Sequence, residues 1–593
     1  MLNFPFLYTL LLIVLMTIFL VKEIFDPDIV IFSTLLLLIV GRVITIDEAF
    51  VGFSNSGMLT VGCLFIVARA LQETGILNQL GDIFLGNGEK SISIKLLRFL
   101  FPVSAISAFF NNTPIVAMLI PVIRTWTRKN DYAVSKFLIP LSYAAILGGT
   151  CTLIGTSTNL VIHGLMIENG IGGMSFFEIS KIGIPLMFIG VLIVSFVSHR
   201  LLPDRKEPII ELGDHTREFV IGLKVQSDYR YCGWSIEEAG LRHLKGLFLF
   251  QIERNQKIIA PIGHDEKIQV NDRLFFTGLP RTIIELQKTP GLMALKDTKF
   301  DLKNYDSDRV KTFEAVISPA SPLIGYSVRE SNFRGRYNAA ILAIHRSGER
   351  IKKKVGDIVL RAGDTLLILA RSDFLKDWYN SRDFYLVSES EKISSKPRWY
   401  SLFSLSILAL MIVSMALNIV PILASVSIVA VILVMSKCIT RQNARRSIEW
   451  HVLIIIASSF GIARALDNSG VAYFLASKLI ILVGYFGILG ILTGIYFMTS
   501  LYTELITNNA AAALLFPIAL SAANQAGVDP RPFLIAVAIG ASASFATPLG
   551  YQTNLMVYGP GGYKFKDFLK VGIPMNIVIG VAAITIIYVF NFV

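Results

Sequence analysis

The chain has 593 residues, 53% of them hydrophobic and 17% charged, with a mean hydropathy of +0.60. That is more apolar surface than a soluble core can hide, so the composition is that of a membrane protein. Residues 201–400 hold 33 of the 55 Lys and Arg and 27 of the 43 Asp and Glu, so two apolar blocks flank one hydrophilic insert. Four cysteines, three of them in apolar segments, exclude a disulfide scaffold. The formal charge of +12 gathers beside apolar runs, where it sets topology and does not mark a nucleic-acid surface.

The opening run 4–21 has neither the basic start nor the small-residue cleavage site of a signal peptide, and it reads as a span. Apolar runs near 28–43, 48–72, 136–165, 180–198, 401–418, 420–437, 450–467, 530–558 and 569–592 bring the expected crossings to ten. Two stretches differ. Leu97–Phe110 and Pro114–Trp126 flank Asn111-Asn112-Thr113, and Leu492–Ile506 and Ala510–Ala522 flank Thr507-Asn508-Asn509. Arms of about 14 residues rise only ~21 Å, short of a ~30 Å hydrocarbon core, which predicts hairpins over 97–126 and 492–522 that enter and return. Thr60-Val61-Gly62 opens like a potassium filter, but Cys63 and Leu64 follow where a filter needs Tyr-Gly, so it reads as core packing.

The two apolar blocks repeat each other. Ala68-Arg69-Ala70-Leu71 followed by Gly75 matches Ala463-Arg464-Ala465-Leu466 followed by Gly470, and Thr158-Asn159-Leu160 with Gly164 matches Thr553-Asn554-Leu555 with Gly559, both at an offset of 395. The hairpin tips repeat at 396, and Pro121 and Pro517 each follow ten residues after the first tip residue. Five crossings per copy make the second copy enter from the opposite side, an inverted repeat. Arg124, Arg128, Lys129, Arg205, Lys206, Arg441, Arg445, Arg446, Lys564 and Lys566 then share one face, expected to be cytoplasmic, with both termini outside. Inverted repeats with interrupted helices place a binding site at the midplane. Besides the tips, Gly148–Ser157 and Ala541–Gly550 supply two further breaks, and none of the four contains Arg or Lys. An anion there is held by hydroxyls, amides and backbone dipoles, with bound cations neutralising it.

The tips Asn-Asn-Thr and Thr-Asn-Asn resemble the paired Ser-Asn-Thr signatures of the divalent anion:sodium symporters, the dicarboxylate and sulfate carriers of the ion transporter superfamily. The resemblance spans residues 1–206 and 399–593, and it implies an elevator-type carrier, usually a homodimer, in the plasma (inner) membrane. It places one sodium with Ser107, Asn111, Asn112 and Gly155 and a second with Thr503, Thr507, Asn508 and Ala546. The substrate would meet Asn112, Thr113, Thr156, Ser157, Asn508, Asn509 and Thr547. The sequence departs from the family pattern at Asn111, Thr507 and Asn509, which bears on the substrate more than on the fold. Glu504, three residues before a tip, has Ala108 as its counterpart. A carboxylate at that depth is costly; it reads either as a coupling or sodium-tuning group or as a structural or water-exposed one.

The insert is itself duplicated. Gly233–Glu238 matches Gly325–Glu330, Ile252-Glu253-Arg254 matches Ile344-His345-Arg346, and Asn271-Asp272 matches Gly363-Asp364, all at an offset of 92. Period-2 runs at 340–344 and 364–369, with turns at 347–349 and 362–364, predict two α/β modules, 207–290 and 303–388. They resemble TrkA C-terminal domains, ligand-binding regulatory modules. That resemblance implies a cytoplasmic sensor, with Arg334, Arg336, Tyr337, His345 and Arg346 as candidates for a nucleotide effector such as cyclic di-AMP. The same residues also suit an ordinary solvated face.

No Cys/His cluster, phosphate loop or nucleophile elbow points to an enzyme. The sequence therefore predicts a polytopic α-helical carrier with an inverted repeat and an α/β insert; the resemblance implies sodium-coupled import of a small divalent anion, expected to be sulfate because the Gly550-Tyr551-Gln552-Thr553-Asn554 run and the paired TrkA-type inserts resemble the sulfate-associated branch. A di- or tricarboxylate symporter is the nearer alternative, and a ligand-gated channel the more distant one.

Overall fold

In the computed structural model of the chain, the described residues are 3–22, 24–74, 91–205, 220–241, 247–255, 257–259, 262, 266–278, 289–295, 310–318, 321–346, 349–351, 353, 355–371, 374, 378, 383–386, 397–417, 419–548 and 550–592. Gly75 and the turn residues Ser347 and Gly348 lie outside them. The first block forms α1 (Phe4–Val21), α2 (Pro27–Val40), α3 (Ile46–Phe50), α4 (Ser56–Glu73), α5 (Ile92–Ser107), α6 (Asn112–Lys129), α7 (Leu138–Gly149), α8 (Ser157–Glu168) and α9 (Ser180–Ile193). α1 and α2 each open with a proline in the first turn, where its missing N–H is not needed.

The insert contributes β1 (Val220–Val225), β2 (Leu247–Arg254), β3 (Lys257–Ile259), β4 (Arg273–Gly278) and β5 (Leu292–Ala294). Its second half contributes β6 (Val310–Ile317), α10 (Phe333–Tyr337), β7 (Ala339–Arg346), β8 (Glu349–Arg350), β9 (Thr365–Arg371) and β10 (Phe384–Leu386). The second block forms α11 (Arg398–Ala416), α12 (Ile422–Met435), α13 (Arg441–Ser447), α14 (Trp450–Asn468), α15 (Val471–Val483), α16 (Gly487–Leu505), α17 (Asn508–Ala526), α18 (Arg531–Ser542), α19 (Gln552–Tyr558) and α20 (Phe565–Phe592).

The repeat holds element by element: α1 to α4 recur as α11 to α14, and α5 to α9 as α16 to α20. Contacts between the copies are reciprocal. α4 packs on α12 as α14 packs on α2, and α6 packs on α19 as α17 packs on α8. Such an exchange is what a two-fold relation between the copies produces.

Among the described residues seven helical stretches are long and apolar enough to cross a bilayer, fewer than the ten expected. α2 and α12 have only 14 residues each, and the runs 136–165 and 530–558 are interrupted as α7/α8 and α18/α19. The arms beside the tips are longer than the sequence count: α5, α6, α16 and α17 have 16, 18, 19 and 19 residues, or roughly 24–29 Å each. Helix α15 was not expected; its apolar residues run on through Tyr485 and Phe486 into α16, which hides the turn at Gly484–Gly487.

The two halves of the insert share one topology. The first sheet has the order β3-β2-β4-β1-β5 and the second β8-β7-β9-β6-β10, strand for strand at the offset of 92, with every pair antiparallel. A register irregularity recurs at Leu249/Gln251 and Ile341/Ala343. In each half an arginine forks onto a buried aspartate, Arg254 on Asp272 and Arg346 on Asp364. The expected in-out alternation in β7 and β9 is absent, because six consecutive residues of each are buried. One face packs on the core of its own module, while Val316 of neighbouring β6 belongs to the core of the helical blocks.

Candidate functional site

Each tip turns from one long helix into the next, so the residues after the turn occupy a helix N-terminus. Asn112 begins α6, Asn508 begins α17 and Ser157 begins α8, all directed at one region. Three helices of 18, 19 and 12 residues thus bring positive dipole ends together where the sequence has no Arg or Lys. The N-cap residues Asn111 and Thr507 make no side-chain capping bond, and the buried Thr507 Oγ1 has no hydrogen-bond partner among the described residues.

The copies interlock there. Asn112 Nδ2 donates to the Tyr551 hydroxyl at 2.7 Å, and Thr113 Oγ1 donates to Gln552 Oε1 at 3.1 Å. In the mirror contact Ser157 Oγ donates to Asn509 Oδ1 at 3.0 Å. The first tip therefore rests on the second break, and the second tip on the first break. The Tyr551 hydroxyl also lies 3.1 Å from Thr156 Oγ1 and is close to Asn508, so one phenol sits beside both tips and one break.

Oxygen atoms gather beside each tip. Ser107 Oγ donates to Asn112 Oδ1 at 2.7 Å and to the Ala145 carbonyl at 2.9 Å, and Thr152 Oγ1 donates to the Ala108 carbonyl. In the second copy Thr503 Oγ1 donates to the Ala541 carbonyl at 2.8 Å and Thr547 Oγ1 to the Glu504 carbonyl at 3.1 Å. Asn159 Nδ2 donates to the Thr152 carbonyl, and its counterpart Asn554 Nδ2 to the Thr547 carbonyl. These matched bonds pair Thr547 with Thr152, and Thr156 with Tyr551. A Cβ at Gly155 would lie 2.5 Å from the Gly149 carbonyl oxygen, and one at its counterpart Gly550 2.7 Å from the Thr503 carbonyl oxygen, so both breaks need glycine for the close approach. Oxygen-only clusters of carbonyl, hydroxyl and amide suit a hard cation.

Glu504, at the end of α16, directs its carboxylate onto the second break. Its Oε1 accepts from Phe545 N, Ala546 N and Asn576 Nδ2, and its Oε2 from Thr547 N, each at 2.8 Å. Three backbone N–H groups of the break, that of Ala546 among them, are thereby taken up inside the protein.

The sequence reading brings Asn112, Thr113, Thr156, Ser157, Asn508 and Asn509 together, with Asn111 and Thr507 at the helix caps. It missed Tyr551 and Gln552, although the offset of 395 places them on Thr156 and Ser157. The candidate effector residues are differently engaged. Tyr337 is buried in the module core and donates to Asp383, and burial followed by that bond raises its pKa well above the usual phenol value. Arg336 lies 3.5 Å from the same carboxylate, Arg346 forks onto Asp364, and Arg334 and His345 also have partners.

A helical polytopic membrane protein whose duplicated, interrupted helices converge on a polar centre without Arg or Lys has the architecture of a transporter. The chain belongs to the citrate transporter family, whose profile matches residues 11–529 and 508–592. The family is one of transporters and not of enzymes. The chain is 36% identical over 577 residues to the "Putative sulfur deprivation response regulator" of Chlamydomonas reinhardtii, covering 95% of this chain and 98% of that one. It is 26% identical over 741 residues to sodium/sulfate cotransporter 1 of the same alga, covering 91% and 84%. A local match of 152 residues, 26% of this chain and 29% of the other, is 26% identical to the sodium-dependent dicarboxylate transporter SdcS of Staphylococcus saprophyticus.

Proposed function

We propose that the protein is a sodium-coupled importer of a small divalent anion, with sulfate as its substrate. The observation that carries this reading is the interlocked pair of tips: hydroxyl and amide donors at converging helix N-termini, free of Arg and Lys, beside two oxygen clusters suited to sodium. The full-length similarity to a sodium/sulfate cotransporter supports sulfate, and the dicarboxylate carrier matches over a much shorter stretch. Sodium belongs with Ser107, Asn111, Asn112 and Gly155 and with Thr503, Thr507, Asn508 and Ala546, while the anion meets Asn112, Thr113, Thr156, Ser157, Asn508, Asn509 and Thr547. The tips are re-entrant hairpins of an inverted repeat, and a homodimer working by an elevator movement is the assembly this implies. The plasma membrane is its place, with both termini outside.

The insert is cytoplasmic and regulatory in this reading. Support comes from a buried ion pair, Arg124 to Glu314 at 2.6 Å, that joins α6 directly to β6. A second link runs through α19, which follows Tyr551. The turn at Gly363–Thr365 packs on Leu555 and Gly559, so a Cβ added at Gly363 would lie 2.9 Å from Leu555 Cδ1. A nucleotide effector such as cyclic di-AMP binding the second module would be felt at the site through these two contacts.

Uptake by proteoliposomes of labelled sulfate, thiosulfate, succinate and citrate, with sodium or potassium outside, tests the reading. Saturable, sodium-dependent sulfate uptake is expected. Uptake of succinate but not sulfate would replace the substrate, and current proportional to driving force would replace the carrier with a channel.

A further inference from the structure

At Tyr551 the two copies of the repeat differ in bulk. Its counterpart by the offset and by the matched hydrogen bonds is Thr156, so an aromatic side chain faces a small one across the centre of the site. The phenol is 7% exposed, and its oxygen accepts from Asn112 Nδ2 at 2.7 Å, lies 3.1 Å from Thr156 Oγ1 and is close to Asn508. A hydroxyl that accepts from an amide keeps its own proton to donate. The buried ring occupies the position that a threonine holds in the first copy.

We infer that Tyr551 is the specificity-determining residue of the site: its hydroxyl donates to an anion oxygen and its ring limits the anion to a compact tetrahedral oxyanion, excluding a dicarboxylate. This rests on the carrier reading above and names the residue that selects among its substrates. A four-carbon dicarboxylate that reached the Asn112 amide would have to displace the phenol hydrogen-bonded to it, where the first copy has only a threonine. Gln552, one residue on, accepts from Thr113.

Two variants separate bulk from hydrogen bonding. Tyr551→Thr installs the residue that the first copy has and removes the ring; Tyr551→Phe keeps the ring and removes the donor. Proteoliposome uptake of labelled sulfate and succinate is measured for both, with thermal melting in detergent to show that each folds. Tyr551→Thr should shift the succinate-to-sulfate ratio of kcat/KM upward by about 10- to 100-fold, the range a pocket gains or loses per methylene. Tyr551→Phe should raise the KM for sulfate about tenfold while still refusing succinate. An unchanged ratio in Tyr551→Thr together with an unchanged sulfate KM in Tyr551→Phe overturns the assignment and leaves the carrier reading standing. Wild-type protein that takes up neither anion overturns both. If Tyr551→Thr does not fold, sulfate-induced stabilisation of Tyr551→Phe decides: a melting shift equal to that of the wild type overturns the hydroxyl's role, and a lost shift supports it.

Discussion

Asn112 is fully buried, and both ends of its amide are used: Oδ1 accepts from Ser107 and Nδ2 donates to Tyr551. In the proposed carrier this amide oxygen serves the sodium site and this amide nitrogen the anion. Asn112→Ala and Asn508→Ala should each lower sodium-driven uptake by about 10- to 100-fold, since a hydrogen bond to a charged group contributes about 1.5–3 kcal/mol. Uptake assays on protein of wild-type melting temperature check this. Glu504 presents the opposite balance. With four donors on one carboxylate, Glu504→Gln places an amide N–H₂ against a backbone N–H and should destabilise the protein by about 1–3 kcal/mol. A variant as heat-stable as the wild type would show that these bonds do not hold the break, and would return Glu504 to a coupling role.

At the scale of elements, the repeat was legible because both copies kept the same side chains at the same spacing, from Arg69 and Arg464 to Asn159 and Asn554. The tips were legible for the same reason. Helix α15 was not, because no polar or turn residue other than Gly484 and Gly487 marks where it ends. Tyr551 is not among the predicted site residues because bulk replaces the threonine of the first copy there. The arm lengths were misjudged because polar flanks such as Lys95 and Lys129 continue the helices beyond their apolar stretches. Reciprocity between tip and break has its own consequence. Ser157→Ala and Asn509→Ala, singly and together, should show a coupling energy of about 0.5–1.5 kcal/mol in thermal unfolding, the size of one buried hydrogen bond. Strict additivity would mean that the second tip does not rest on the first break.

Across the whole molecule, the insert is tied to the transport elements by charge as well as by packing. Arg124 and Glu314 have side chains only 6% and 3% exposed, and removing one partner of such a pair leaves a buried charge at a cost of about 3–5 kcal/mol. Glu314→Arg should therefore alter the uptake rate several-fold, and the swapped pair Arg124→Glu with Glu314→Arg should restore it in part. Equal rates in all three proteins would uncouple the insert from transport. The central claim is that sodium drives the anion uphill through a site built from both copies. The direct test is the accumulation of labelled sulfate in proteoliposomes under an inward sodium gradient. The account predicts that internal sulfate rises above the external concentration and collapses when a sodium ionophore dissipates the gradient; sulfate that only equilibrates, with or without sodium, would contradict it.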